Sequence, residues 1–292
     1  MTIKETHLVP AQKEAIRLSD YAVDIFVSIK SKSALKKALK KELIWVNNEI
    51  GTSGKHILGG ETISLKEPIK KTPIAKIELP VIFEDEYIAV IHKPAGIIVS
   101  GNKHKTIEHA LPHNLQKSNL PDALEWPQPA HRLDFPTSGL LLVGKTQKAI
   151  MALNKCFKNK EIQKTYRAIV IGEIPSSGQI NTPIEGKECF TSYQKEKGKS
   201  INSPKFGELH LITLSPTTGR KHQLRIHLSS IGNPILGDDK YGKEGLILSK
   251  KGLFLQASSL TFSHPFTQEA LFFSLPLARK FERIFEARKI IE

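Results

Sequence analysis

The chain has 292 residues, 39% of them hydrophobic, enough for one large core and a smaller satellite domain. Its 43 lysines and arginines against 29 acids give a formal charge of +14, the range in which a polyanion partner is expected. No apolar run approaches the ~20 residues of a membrane span, no signal-peptide core opens the chain, and the lone Cys156 and Cys189 make neither a disulfide framework nor a zinc motif, so a soluble, cytoplasmic, monomeric protein is expected.

Residues 1–15 read as a polar lead-in, and 16–67 as a small basic domain. "IRLSDYAVDIFVS" has near-helical apolar spacing. Ser31 or Ser33 can cap a second helix, "ALKKALKKELI", with Leu35, Ala38 and Leu39 as its apolar stripe and Lys36, Lys37, Lys40 and Lys41 on the other side. "IWVNNEIG" predicts two short strands about an Asn-Asn turn, and "GGETISL" a further strand. The prolines and lysines of 68–80 read as a linker. A larger domain, 81–292, follows. "VIFEDEYIAVIHKPAGIIV" predicts strand, turn and strand, "TIEHALPHNL" a short helix, and the proline-rich "LPDALEWPQPAHRLD" a loop. "SGLLLVGKT" predicts a buried strand and "QKAIMALNKCFKN" a helix. "KTYRAIVIGEI" and "GELHLITLSP" predict strands, and "KHQLRIHLSSIG" a helix closed by Gly232. "LFLQASSLTFSHP" predicts a late strand, and "ARKFERIFEARKII" a terminal helix. Strands and helices mix without βαβ alternation, which predicts an α+β fold.

One acid stands apart. In "PAHRLDFPTSGLLLVGKT", Asp134 lies on a turn of Pro136, Thr137, Ser138 and Gly139, just ahead of the buried strand and close to His131 and Arg132. A scaffold holds such a side chain at a cleft. Neighbouring cations keep a carboxylate ionised, as a nucleophile requires. The bland alternative is an Asp that caps its own turn or pairs with an arginine.

"HRLDFPTSGLLLVGKT" resembles the signature loop of the RluA-type pseudouridine synthases. "FEDEYIAVIHKPAGIIV", "KTYRAIVIGEI", "TTGRKHQLRIHLSSIGNPILGDDKYG" and "LQASSLTFSHP" resemble that family's other motifs, in the family's order, over residues 83–265. The small domain resembles, more loosely, the ribosomal-protein-S-four-like RNA-binding domain that often precedes the catalytic one. The resemblance implies a pseudouridine synthase domain with a mixed, mainly antiparallel sheet. It implies isomerisation of uridine to pseudouridine in structured RNA, ribosomal RNA ahead of tRNA, with neither metal nor redox cofactor.

By the same resemblance Asp134 stands at the nucleophile position. Attack on the sugar, attack on the pyrimidine ring and deprotonation of the ribose all remain open to it. Tyr166 would offer an aromatic face to the uracil and a hydroxyl for proton removal. Arg225 would fix the Asp134 carboxylate through its planar fork. Arg132, Arg220, Lys221 and His222 would contact RNA, as would Lys36, Lys37, Lys40 and Lys41, while Lys93 would be structural or a phosphate contact. Phe135 and Pro136 depart from the polar residues that many members carry there, and Gln256 stands where the family often has His. The pair Asp238-Asp239 reads as a turn of this family rather than a metal site. Two other classes compete: an RNA-binding or ribosome-assembly factor without catalysis, and a metal-dependent ribonuclease.

Overall fold

The computed structural model describes residues 2–67, 74–246, 248 and 251–286. The chain divides into two units, Met1–Thr72 and Pro73–Glu292.

The first unit runs β1 (Thr2–Leu8), β2 (Ile16–Arg17), α1 (Leu18–Tyr21), α2 (Lys32–Lys40), β3 (Ile44–Val46), β4 (Glu49–Ile50), β5 (His56–Ile57) and β6 (Thr62–Glu67). Its sheet has the order β1-β6-β3-β4, and β2 pairs β5. Thr2–Leu8 is therefore not part of a lead-in. It pairs antiparallel with β6, and the backbone ladder supplies what the polar side chains do not. The first predicted helix shrinks to α1, because Asp24 turns left-handed at φ +67. Ser31 accepts the Ala34 amide and starts α2, which buries Leu35, Ala38 and Leu39 against this unit's core.

The second unit begins before the predicted boundary. Ala75 and Leu79 lie in its main core, so residues 74–80 are packed chain rather than free linker, and 68–73 lie outside the described residues. Its elements are β7 (Val81–Glu84), β8 (Ile88–Lys93), α3 (Ile107–Asn114), β9 (Ala123–Pro129), β10 (Ser138–Thr146), α4 (Gln147–Lys158), β11 (Gln163–Ile171), β12 (Ser177–Ile180), β13 (Thr191–Ser203), β14 (Gly207–Pro216), α5 (Gln223–Ser230), β15 (Leu255–Ser263), β16 (Ala270–Ser274) and α6 (Arg279–Glu286). They build one sheet, ordered β12-β13-β14-β11-β15-β10-β8-β7, with β16 on β15 and β9 on β10. Among its described strand pairs, only β10 and β15 run parallel. Ala123–Pro129 is a strand and not the predicted loop; β9 pairs with β10 alone, and an edge tolerates Pro127 and Pro129. The terminal helix is seen to Glu286, and the rest of its predicted span lies outside the described residues.

One row runs across the middle of this sheet. Lys93 on β8 stands opposite Gly139 on β10, Gly139 opposite Ala257 on β15, Ala257 opposite Tyr166 on β11, and Tyr166 opposite Leu214 on β14. Gly139 has φ +128, and a Cβ there would sit 2.2 Å from the Ala257 carbonyl oxygen, so only glycine lets the strands approach. A bulge between Thr165 and Tyr166 interrupts the β11–β15 ladder beside the tyrosine, the kind of irregularity that re-aims a side chain. Among the described residues no helix is long and apolar enough to cross a membrane.

Candidate active site

The turn that carries Asp134 closes through a hydrogen bond from the Thr137 amide to the Asp134 carbonyl, 3.1 Å. It is held from below. Lys93 is fully buried, and its Nζ donates to the carbonyls of Pro94 (2.9 Å), Thr137 (2.7 Å) and, at 3.4 Å, Phe135. The Gly96 amide also donates to the Phe135 carbonyl, 2.8 Å. Burial pushes the Lys93 ammonium down to about 8, against the pull of the Asp134 charge. Lys93 is thus a clamp on the loop. The sequence alone left it between structure and phosphate contact, because nothing local shows that the loop's carbonyls converge on it.

Asp134 faces a guanidinium on α5 and an imidazole just ahead of that helix. Its Oδ2 lies 3.8 Å from Arg225 Nη1, and its Oδ1 lies 3.8 Å from His222 Nε2. Both are too long for hydrogen bonds, and the Arg225 contact is an ion pair. The fork of Arg225 goes elsewhere, which corrects the sequence reading: Nε donates to Asp238 Oδ2 at 2.8 Å and Nη2 to Asp238 Oδ1 at 2.7 Å. Asp238 has a fully buried side chain and also accepts the amides of Lys240 and Tyr241. Burial alone would raise its carboxyl, but Arg225 and those amides hold it below the usual carboxylate range. Desolvation likewise opposes the Arg225 charge, and its bonds to Asp238, with the charges of Asp238, Asp134 and Asp239, outweigh it and push the guanidinium upward. The Asp238-Asp239 pair is therefore the counter-ion of an arginine. That arginine is itself buried and keeps one nitrogen toward Asp134.

Around Asp134 opens a cavity of about 330 Å³, within the ~300–1,000 Å³ range of small-molecule sites. Tyr166, Thr137, Lys164, Arg220 and Arg225 are among its lining residues. Burial, reinforced by the charge of Asp134, raises the Tyr166 phenol far above its ordinary range, so it is a neutral hydroxyl at pH 7. The cavity thus receives a ring face and a neutral hydroxyl from Tyr166. His131 accepts the Leu142 amide on Nε2 at 3.0 Å. Desolvation and the nearby Lys164 push its ring down to about 3, so it stays neutral. Lys164 is itself lowered by burial. Thr137 is buried, and its Oγ1 is without a hydrogen-bond partner among the described residues. Sequence reasoning missed Thr137 and Lys164, although both sit in the quoted motifs; a buried hydroxyl without a partner, or an ammonium turned into a cavity, shows only in three dimensions.

The remaining predicted contacts divide between the units. Arg132, Arg220, Lys221 and His222 all line the cavity. Arg132 and Arg220 are exposed there, while His222 takes a left-handed backbone, φ +58, ahead of α5 and hydrogen-bonds Tyr241 Oη through Nδ1 at 2.9 Å. Desolvation lowers the His222 ring against the pull of Asp134. Lys36, Lys37, Lys40 and Lys41 are exposed on the first unit. There Lys30 and Lys32 pair with Asp24 and Asp20, whereas Lys36, Lys37, Lys40 and Lys41 make no ion pair among the described residues.

Known proteins resemble this chain. Residues 87–230 match the family described as RNA pseudouridylate synthase. The ribosomal large subunit pseudouridine synthase D of Buchnera aphidicola is 34% identical over 87% of this chain and 88% of its own length. The chain belongs to the RluA-type pseudouridine synthases. An RNA pseudouridine synthase of Aquifex aeolicus, itself described as uncharacterized, is 31% identical over 98% of both chains. Among solved structures, human RNA pseudouridylate synthase domain containing 1 aligns with a TM-score of 0.56 at 23% identity, covering 74% of this chain and 97% of that one. The fold is thus the α+β synthase fold with a mixed, mostly antiparallel sheet, as expected. This RluA-type synthase is an isomerase acting on RNA, so neither a non-catalytic RNA binder nor a ribonuclease describes it.

Proposed function

We propose that this synthase converts uridine to pseudouridine in large-subunit ribosomal RNA, with Asp134 as the nucleophile. The observation that carries the assignment is the Asp134 carboxylate at the cavity wall, 3.8 Å from an Arg225 guanidinium already anchored on Asp238. Anchoring leaves the arginine's position independent of what Asp134 does. The carboxylate is free to bond to substrate, and the guanidinium waits to pair with it again. The reaction is neutral in atoms and electrons: the bond from C1′ to N1 breaks, one from C1′ to C5 forms, and the proton leaves C5 for N1. The carboxylate attacks either the ribose or the pyrimidine ring. The Tyr166 ring offers the uracil a face, and its hydroxyl a donor. The unpaired Thr137 hydroxyl is placed for a uracil edge, since a buried hydroxyl without a partner is at a disadvantage of roughly 1–3 kcal/mol that a substrate bond removes. A base inside a structured RNA reaches this depth only by leaving its stack. Arg132, Arg220, Lys221 and His222 would hold the backbone around it, and Lys36, Lys37, Lys40 and Lys41 would add contact from the first unit. Ribosomal RNA is favoured over tRNA by the name of the Buchnera relative.

The test is site-resolved pseudouridine mapping of RNA from cells with and without the protein, repeated with Asp134→Asn. A large-subunit ribosomal uridine should lose its conversion in both. With purified protein the rate should fall by several orders of magnitude while RNA affinity stays near wild type. Turnover within about tenfold of wild type would remove Asp134 from the mechanism.

A further inference from the structure

Asp134 borders a second, smaller cavity. It holds about 180 Å³ and is lined by Ile98, Val99, Ser100, Leu133 and Phe135, and it shares Arg132, Leu133, Asp134 and His222 with the first. Phe135 is 56% exposed, an unusual state for an apolar ring beside a polar site. It is also rigidly presented. Phe135 and Pro136 are the two central residues of the turn closed by the Thr137 amide. The Phe135 carbonyl accepts from the Gly96 amide and faces Lys93 Nζ. With the backbone already fixed, stacking on the ring has only side-chain freedom to remove.

We infer that the second cavity is a subsite for the nucleobase adjacent to the target uridine, with Phe135 as its stacking platform. The inference rests on Asp134 marking the place of reaction. The occupant follows from connectivity. A strand whose uridine lies in the larger cavity has its next nucleotide tethered by one phosphodiester, within reach of the smaller one. Arg132 borders both cavities, where it can take the phosphate between them. Ile98, Val99 and Leu133 give an apolar wall, and Ser100 and His222 supply hydrogen-bonding edges, the mixture an unstacked base needs. Phe135 then selects RNA by how well the neighbouring base stacks and touches no reacting atom.

The experiment uses the full chain and an RNA oligonucleotide carrying a uridine that wild-type protein converts. Three forms of it are compared: intact, with an abasic ribose 5′ of the target, and with an abasic ribose 3′ of it. Phe135→Ala should lower kcat/KM roughly tenfold on the intact RNA, through KM more than kcat, with Tm unchanged because the ring is exposed. Phe135→Trp should restore it. One of the two abasic substitutions should cut wild-type kcat/KM by a similar factor and cut Phe135→Ala no further, since ring and base act on each other. The subsite is overturned if Phe135→Ala stays within twofold of wild type, if both abasic effects multiply with it, or if the effect of Phe135→Ala is confined to duplexed RNA, which would make Phe135 a wedge. Conversion of the intact oligonucleotide by wild type is the starting condition, so a failed subsite leaves the enzyme reading standing, and a failed conversion strikes that reading instead.

Discussion

Arg225 donates its strongest bonds away from the substrate, and this decides how its variants behave. Lysine at 225 keeps the charge but cannot span both Asp238 oxygens. Asp238 is fully buried and would lose its paired donors. Arg225→Lys should therefore lower stability by ~2–4 kcal/mol in urea titrations as well as slow turnover. Asp238→Asn should slow the reaction roughly 10–100-fold without approaching the RNA, because a guanidinium released from its anchor swings toward Asp134. Unchanged kinetics for Asp238→Asn would show that the anchor does not matter. Lys93 invites a measurement against pH. Its folded value of about 8 lies below the ordinary 10.5, so between those values the unfolded chain binds the extra proton. Stability linked to this group accordingly rises with pH across that window. Below about 8 the full disadvantage of burying the charge is present, and it fades toward pH 10.5. Lys93→Met should destabilise the fold by roughly 1–3 kcal/mol, since the loop carbonyls lose their donor. The gap to wild type should widen from pH 8 to 10, and denaturant midpoints at the two pH values check it.

At the scale of elements, the row from Lys93 through Gly139, Ala257 and Tyr166 is the frame of the site. Gly139→Ala would drive a Cβ against the Ala257 backbone. It should both lower Tm by several degrees and reduce kcat/KM, because the parallel pairing of β10 and β15 must open beneath the Asp134 turn. An unaffected variant would mean that the strands separate freely. This frame also explains what could be read from the sequence. β10, β11, β14 and β15 announce themselves as apolar runs, since both their faces are covered, and α5 ends at Gly232 with φ +82. β13 does not: Lys195, Glu196, Lys197 and Lys199 break any alternation, and its pairing with β14 slips between Lys195 and Ser200. β9 hides behind Pro127 and Pro129, and β1 behind polar residues. The acid, the tyrosine and the arginine stand in local motifs and were legible. Which acid the arginine grips was not, because Asp134 and Asp238 are both far from it in sequence and only the fold chooses between them.

At the scale of the molecule, each unit has its own core, and every residue proposed for the chemistry lies in the second. A chain of residues 73–292 should still convert uridine in a short RNA. It should bind full-length RNA more weakly, with a salt dependence flatter by roughly 0.7–0.9 in log–log slope for each phosphate that the first unit no longer neutralises. Binding curves across a salt series for both chains decide it, and an identical slope would mean that Lys36, Lys37, Lys40 and Lys41 are only solvated.

The β10–β15 pairing also carries a clock. Gly139 is among the earlier residues of its unit to leave the ribosome, while Ala257, which must lie beside it, is among the later ones. At roughly 5–20 residues per second, the turn bearing Asp134 waits on the order of ten seconds for its neighbour. Until then Tyr166 lacks its β15 partner too. A nascent chain, tethered amid ribosomal RNA and with its lysine-rich first unit already emerged, should thus stay inert toward the RNA around it until β15 has joined β10.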